Sequence, residues 1–123
     1  MILVVDDDAD VRATIGRALA ELGYAVREAA DGASALAAVR EEALSLVILD
    51  YVMPGMDGAE AAREIAAIDP DLPIVFSTGH SALRALRAAA GEDVRILEKP
   101  FTLDEVDALL RERLAERRRA RSA

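Results

Sequence analysis

The apolar positions change period repeatedly along the chain. Ile2-Leu3-Val4-Val5 is an unbroken, mostly β-branched run, too short for a helix and of the kind that a strand buried on both faces requires. From Val11 the period lengthens: Val11, Ile15, Ala18, Leu19 and Leu22 recur at helical spacing, and Gly23 stands where a C-terminal cap belongs. Tyr24–Ala29 alternates and predicts a second strand, Asp31-Gly32 marks a turn, and Ala33–Glu42 predicts a helix with Leu36 and Val39 inward. Leu46–Leu49 is another fully apolar strand. Pro54, Gly55 and Gly58 signal a loop, and Ala59–Ile68 predicts a helix stopped by Pro70. Pro73 introduces the strand Ile74–Phe76, Ala82–Ala90 reads as a helix ended by Gly91, and Val94–Leu97 as a last short strand. After Pro100, Thr102-Leu103-Asp104-Glu105 has the form of a capping box, opening a helix whose stripe is Val106, Leu109, Leu110 and Leu114. Five strand–helix units in this order predict an α/β fold: a doubly wound, five-stranded parallel sheet with helices on both faces, and no linker or internal repeat.

Composition narrows what such a fold can do. A chain of 123 residues makes one domain with a core of its own, so neither a metal nor a disulfide is needed as a staple. There is no cysteine, which excludes a disulfide framework, a thiolate nucleophile and Cys-ligated zinc or iron–sulfur sites. No apolar run approaches the roughly 20 residues that span a bilayer, and the start lacks a secretory pattern; the expectation is a cytoplasmic protein without a membrane partner. The net charge of −8 and an aromatic content of 3% argue against nucleic acid as a partner. That charge is uneven. Residues 1–110 carry 9 Lys and Arg against 21 Asp and Glu, net −12, whereas residues 111–123 carry 6 Arg against 2 Glu, net +4. The domain is therefore expected over residues 1–116, with residues 117–123 as a frayed basic tail in which Arg117, Arg118 and Arg119 are solvated.

In an open parallel sheet, ligands bind beyond the carboxyl ends of the strands, where the strand order reverses. Asp6, Asp7 and Asp8 follow the first strand, Asp50 the third, Ser77, Thr78 and Gly79 the fourth, and Glu98, Lys99 and Pro100 the fifth. An acidic run such as Asp6-Asp7-Asp8 is commonly solvated or caps the following helix. Asp50, after four apolar residues, belongs at the floor of the cleft, and three carboxylates converging there need protons or a cation to offset them. Hard oxygen donors in this number suit Mg²⁺. Lys99 reads either as a surface partner of Glu98 or as a point charge aimed at a phosphoryl oxygen, and Thr78 either as a helix cap or as a hydroxyl donor in the cleft. Carboxylates, a divalent cation, a lysine and a hydroxyl together describe a phosphoryl site with Asp50 as its nucleophile.

The segments ILVVDDD at 2–8, LVILDYVMPGMDG at 46–58, PIVFSTGH at 73–80 and EKPF at 98–101, in this order, resemble the receiver domains of response regulators in two-component signalling, over about residues 2–116. The resemblance implies a flavodoxin-like (βα)5 fold with strand order 2-1-3-4-5. It implies that Asp50 accepts a phosphoryl group from a phosphohistidine on a sensor histidine kinase or histidine phosphotransfer protein. It further implies that Asp7, Asp50 and the Val52 backbone carbonyl ligate Mg²⁺, that Asp6 acts mainly through water, and that Thr78 and Lys99 bind the phosphoryl oxygens. The message then passes to a downstream protein or domain, and the chain is expected to be a monomer or weak dimer.

Three positions depart from the usual pattern or tune it. Many receivers carry Phe or Tyr three residues before the lysine, a partner for the threonine in switching, and here Ile96 stands there. The segment between Thr78 and Lys99 is slightly short, which predicts a short or irregular fourth helix. Val52 and His80 occupy the two positions that flank the phosphoryl group in the family; Val52 cannot orient a water, so slow self-dephosphorylation is expected, and His80 alone reads as a polar loop residue. Val11, Thr14, Ile15 and Pro100 are candidates for the kinase-docking surface, with inward packing the simpler reading for Ile15. Two alternatives accompany this one. The first is a Mg²⁺-dependent aspartyl-nucleophile phosphatase, whose motif Asp6-x-Asp8 echoes incompletely and in which Asp50 has no clear role. The second is a receiver excised from a hybrid histidine kinase rather than one that stands alone; in either case no output domain is expected after the last helix. The resemblance implies a signalling module rather than an enzyme.

Overall fold

The computed structural model describes the backbone of residues 1–122 and the side chains of residues 1–117. Five strands, β1 (Ile2–Val5), β2 (Val26–Ala29), β3 (Leu46–Asp50), β4 (Ile74–Gly79) and β5 (Arg95–Lys99), form one parallel sheet in the order β2-β1-β3-β4-β5. The helices are α1 (Ala9–Glu21), α2 (Gly32–Glu41), α3 (Gly58–Ile68), α4 (Leu83–Ala90) and α5 (Leu103–Ser122), with a 3-10 turn at His80–Ala82 before α4. No helix among the described residues is long and apolar enough to cross a membrane.

The strand order decides where the helices lie. A parallel crossover is right-handed, so α1, leading from β1 to β2, must pack on one face, and α2, α3 and α4, leading the other way, on the opposite face. The alternation of side chains follows suit. Ile2, Val4, Leu46, Ile48, Val75 and Leu97 point to the face covered by α1 (Ile15, Leu19) and α5 (Val106, Leu110). Leu3, Val5, Val47, Leu49 and Phe76 point to the face covered by α2 (Ala35, Leu36, Val39), α3 (Ala61, Ile65) and α4 (Leu86). Central β1 and β3 are buried on both sides, which is why they read as unbroken apolar runs. A fully buried Leu or Ile contributes about 1.5–3 kcal/mol, so these two layers hold the sheet edge that carries the polar residues.

The boundaries differ from the sequence pattern in instructive places. β2 starts at Val26, not Tyr24, because the end of α1 uses that segment: Gly23 adopts φ 93° and the Tyr24 N–H donates to the Leu19 carbonyl. β3, β4 and β5 each run on to include Asp50, Thr78–Gly79 and Glu98–Lys99, so these candidate site residues are set by sheet pairing, whereas Asp6 and Asp7 follow β1. α4 has only 8 residues, as the short segment predicts. At the start of α5, Thr102 Oγ1 accepts from the Glu105 N–H (3.1 Å), as in a capping box, and the hydroxyl in turn donates to the Glu105 carboxylate (3.2 Å). The last helix does not stop at Glu116: it runs to Ser122, and Arg117 donates to the carbonyls of Leu44 (3.3 Å) and Ser45 (3.0 Å). This corrects the reading of Arg117 as part of a solvated tail, since a guanidinium at this point satisfies two backbone acceptors on the approach to β3. The side chains of Arg118 and Arg119 lie outside the described residues.

Candidate functional site

The strand order reverses between β1 and β3, so the crevice opens at their carboxyl ends. Asp6 follows β1 and Asp50 ends β3; both are buried, at 1% and 4% exposure, while Asp7 is exposed. One carboxylate oxygen from each of Asp6, Asp7 and Asp50 lies within 4.8 Å of the others. Lys99, at the end of β5, crosses β4 to reach them: its Nζ donates to Asp6 Oδ2 (3.1 Å) and Asp50 Oδ1 (3.3 Å). The Lys99–Pro100 peptide bond is cis. Of the two readings of Lys99, the structure selects the inward one. Its neighbour Glu98 instead pairs with His80, whose Nδ1 lies 3.0 Å from Glu98 Oε1. Asp8 takes no part in the cluster; its side chain caps α1 by accepting from the N–H groups of Asp10 and Val11.

The charge balance is unfinished. Asp50 has its pKa pushed from 3.8 up to about 6, first by burial and then by the charge of Asp6, with a smaller contribution from Asp7, and Lys99 only partly offsets them. Burial pulls the Lys99 ammonium down, but Asp50 and Asp6 outweigh that effect and hold it above its ordinary value. One ammonium against three carboxylates leaves a net negative pocket with oxygen donors. Asp6, Asp7 and Asp50 are therefore the residues that could hold a metal ion.

On the adjacent strand β4, Thr78 is 1% exposed and its Oγ1 has no hydrogen-bond partner; Ser77, also 1% exposed, likewise has an unpartnered Oγ. A buried hydroxyl without a partner costs about 1–3 kcal/mol. Ser77 pairs in register with Asp50, and Thr78 is the next residue along β4. Ile96 opposes Phe76 across β4 and β5 and packs on the core layer of α2, α3 and α4.

The loop after β3 is held tightly. The Gly58 N–H donates to the Tyr51 carbonyl (2.8 Å), Met53 is buried in the core, and Val52 between them is 60% exposed. A Cβ on Gly58 would lie 2.7 Å from Tyr51 Cα and strike the Asp50 carbonyl as well. Only glycine lets α3 begin this close to the backbone that carries Asp50.

Comparison with known proteins decides the family. Residues 2–111 match the family model described as the response regulator receiver domain. The chain belongs to the response regulator receiver domain family. Among relatives, the receiver is 46% identical over 104 residues to the response regulator receiver protein CpdR of Brucella abortus, covering 83% of this chain and 86% of that protein. It is 40% identical over 112 residues to the response regulator MprA of Mycolicibacterium vanbaalenii, covering 89% of this chain but 48% of that protein. Among solved structures, the receiver domain of NtrX from Brucella abortus superimposes with a TM-score of 0.87 at 35% identity, covering 94% of this chain and 98% of that one. The phosphatase alternative is not favoured.

Within the receiver, the positions named from sequence divide into three groups. Asp6, Asp7, Asp50 and Lys99 come together, with Thr78 on the neighbouring strand. His80 and Val52 stand on the exposed rim. Of the docking candidates, Thr14 and Pro100 are exposed and Val11 is half-buried. Ile15, at 3% exposure, packs in the layer formed by β1, β3, α1 and α5 and offers no surface to a partner, so it leaves the docking set. Sequence reading also missed a residue. Arg12 donates from Nη1 to the Asp6 carbonyl (2.7 Å) and from Nε to Glu28 (3.1 Å). The available signal was its position: Arg12 lies three and seven residues before Ile15 and Leu19, on the inward stripe of α1.

Proposed function

We propose that this receiver takes up a phosphoryl group on Asp50 with Mg²⁺ held by Asp6, Asp7, Asp50 and the Val52 backbone carbonyl, Asp6 acting mainly through water. The donor is a phosphohistidine on a sensor histidine kinase or histidine phosphotransfer protein. The observation that carries this reading is the joint placement of Lys99 on Asp6 and Asp50 beside a buried, unpartnered Thr78 hydroxyl. In the transfer, an Asp50 carboxylate oxygen forms a bond to phosphorus as the bond from phosphorus to the imidazole nitrogen breaks, and the electron pair of that bond leaves with the imidazole. Lys99, already paired with Asp50 Oδ1, supplies a positive charge to the phosphoryl oxygens, and Thr78 supplies a hydroxyl donor. The cation, when bound, contributes the additional positive charge that carboxylates and a phosphoryl group in one crevice require. A raised Asp50 pKa of about 6 still leaves the nucleophile mostly ionised at neutral pH.

Movement of Thr78 toward the phosphoryl group alters the β4–α4 and β5 surface that a downstream protein or domain reads. Ile96 lacks the ring that would rotate with it, so the change is expected to stay close to Thr78 and the 3-10 turn that follows β4. Val11 and Thr14 on α1 and Pro100 after β5, which are half-buried or exposed, form the docking surface for the phosphodonor in this reading. The reading of the protein as a non-enzymatic signalling module located in the cytoplasm belongs to the same proposal.

The test is direct. Incubation with Mg²⁺ and a small phosphodonor is expected to place one acid-labile phosphoryl group on the chain, none on Asp50→Asn, and none after chelation of Mg²⁺. Labelling of Asp50→Asn at the level of the wild type refutes the assignment, and repeated turnover of phosphomonoesters restores the phosphatase. A second outcome concerns lifetime. Val52 presents only a hydrocarbon side chain to solvent, so decay of the isolated phosphoprotein is expected to be slow and to accelerate in Val52→Asn, which can orient a water. Equal decay of the two proteins removes Val52 from any tuning role.

A further inference from the structure

We propose that Arg12 is a positioning residue for the cation site, acting through the backbone of Asp6. The inference rests on the cation-binding reading above. Asp6 is fixed at every polar atom. Its N–H donates to the Ala29 carbonyl (3.2 Å), Oδ1 accepts from the Asp8 N–H (2.9 Å), Oδ2 accepts from Lys99 (3.1 Å), and its carbonyl accepts from Arg12 Nη1 (2.7 Å). The last of these is the shortest and involves a charged donor. It falls where β1 leaves the sheet, so the carbonyl has no strand partner to hold it.

Asp7 is in the opposite situation. It is exposed, and the direction of its carboxylate is inherited from the backbone of Asp6 before it and Asp8 after it. Asp8 is pinned as the cap of α1. Arg12 pins the other side. Its guanidinium is itself held by Glu28 on β2 at 3.1 Å, and its side chain is only 18% exposed, so the brace joins β1, β2 and α1 at one point. Without it, the carbonyl of the Asp6–Asp7 peptide loses its donor, and the orientation of the Asp7 carboxylate toward Asp6 and Asp50 is held less firmly.

The sign of the effect separates this role from simple electrostatics. Arg12 is a cation beside an acidic pocket, and by Coulomb's law alone its removal tightens Mg²⁺ binding. A positioning role demands the reverse. Calorimetric titration of Mg²⁺ alone into the full chain, at about pH 8 where Asp50 is ionised, is expected to give about tenfold weaker binding for Arg12→Met, a size typical of groups that orient metal ligands. Arg12→Met keeps the aliphatic stem and its packing. Arg12→Lys, which keeps the charge and one donor, is expected to stay within about threefold of the wild type. Arg12→Met binding as tightly as the wild type, or more tightly, overturns the proposal, and Arg12→Leu, which also lacks any donor, carries the same expectation if the Met variant does not fold. Wild-type protein that takes up no Mg²⁺ overturns the cation-binding reading and this one together, whereas tight wild-type binding that Arg12→Met leaves intact overturns only the role of Arg12.

Discussion

Lys99→Ala is expected to make the metal-free protein about 2–3 kcal/mol less stable near neutral pH. Lys99 is the cation bonded to both Asp6 and Asp50, whose side chains are 1% and 6% exposed. Removing it leaves two buried carboxylates facing each other, and breaking a fully buried pair in this way typically costs about 3–5 kcal/mol. The lower figure applies because 29% of the Lys99 side chain reaches solvent, which screens part of the attraction. The loss has a pH signature. Without the ammonium, the Asp50 pKa rises beyond about 6, so at about pH 5 the carboxyl takes up a proton and most of the repulsion disappears. It also has a metal signature: Mg²⁺ replaces the missing charge and is expected to stabilise Lys99→Ala more than the wild type. Urea unfolding at about pH 5 and about pH 7.5, with and without Mg²⁺, reads both. An equal loss at the two pH values, with no extra response to Mg²⁺, reduces Lys99 to a packing residue.

The same chemistry explains how much of the site is legible in the sequence. Parallel strands buried on both faces announce themselves as apolar runs, and the polar residue that ends each run must lie at one edge of the sheet. That is why Asp6, Asp50, Thr78 and Lys99 stand out in the sequence, and why three converging acids call for a cation. What could not be read was the choice between inward and outward partners. Lys99 had Glu98 beside it in sequence, and only the β4–β5 register, with Thr78 opposite Glu98 and Gly79 opposite Lys99, sends Glu98 to His80 and Lys99 into the crevice. Arg12 escaped notice because a lone arginine on a helix is ordinarily solvated, and its acceptor is a backbone carbonyl that no side-chain pattern marks. Arg117 reads as a solvated tail residue for the same reason, its partners being the carbonyls of Leu44 and Ser45. Residues that act through side-chain type and strand position are visible in a sequence. Residues that act on distant backbone groups become visible only when the topology brings the two together.

Asp50→Asn, which abolishes the proposed phosphoryl acceptor, is expected to stabilise the metal-free fold. In the folded chain Asp50 holds its proton up to about 6, against 3.8 when it is free in water, because burial and the charge of Asp6 disfavour the carboxylate. Below about pH 3 the group is protonated in both folded and unfolded chains and contributes no difference. Between 3.8 and about 6 the folded chain binds more protons than the unfolded one, so this group makes stability fall as pH rises. Above about 6 the full penalty stands, on the order of 2–3 kcal/mol for a displacement of this size. Asparagine keeps the shape, still accepts a hydrogen bond from Lys99 and carries no charge to desolvate. The difference in unfolding free energy between Asp50→Asn and the wild type is therefore expected to be near zero at about pH 3, to grow through the interval and to level off by about pH 7. Taking the difference removes the opposing trends of carboxylates elsewhere, such as Glu116, which is held below its ordinary range by Arg113 and Arg95. Mg²⁺ closes the gap from the other side, since it stabilises the ionised wild type and has less to bind in the variant. A difference that is flat with pH, or a variant less stable than the wild type at neutral pH, contradicts the view that this crevice holds an excess of negative charge at the expense of the fold. The expected result ties function to energetics: the carboxylate that destabilises the resting receiver is the one poised to gain most from a cation and a phosphoryl group.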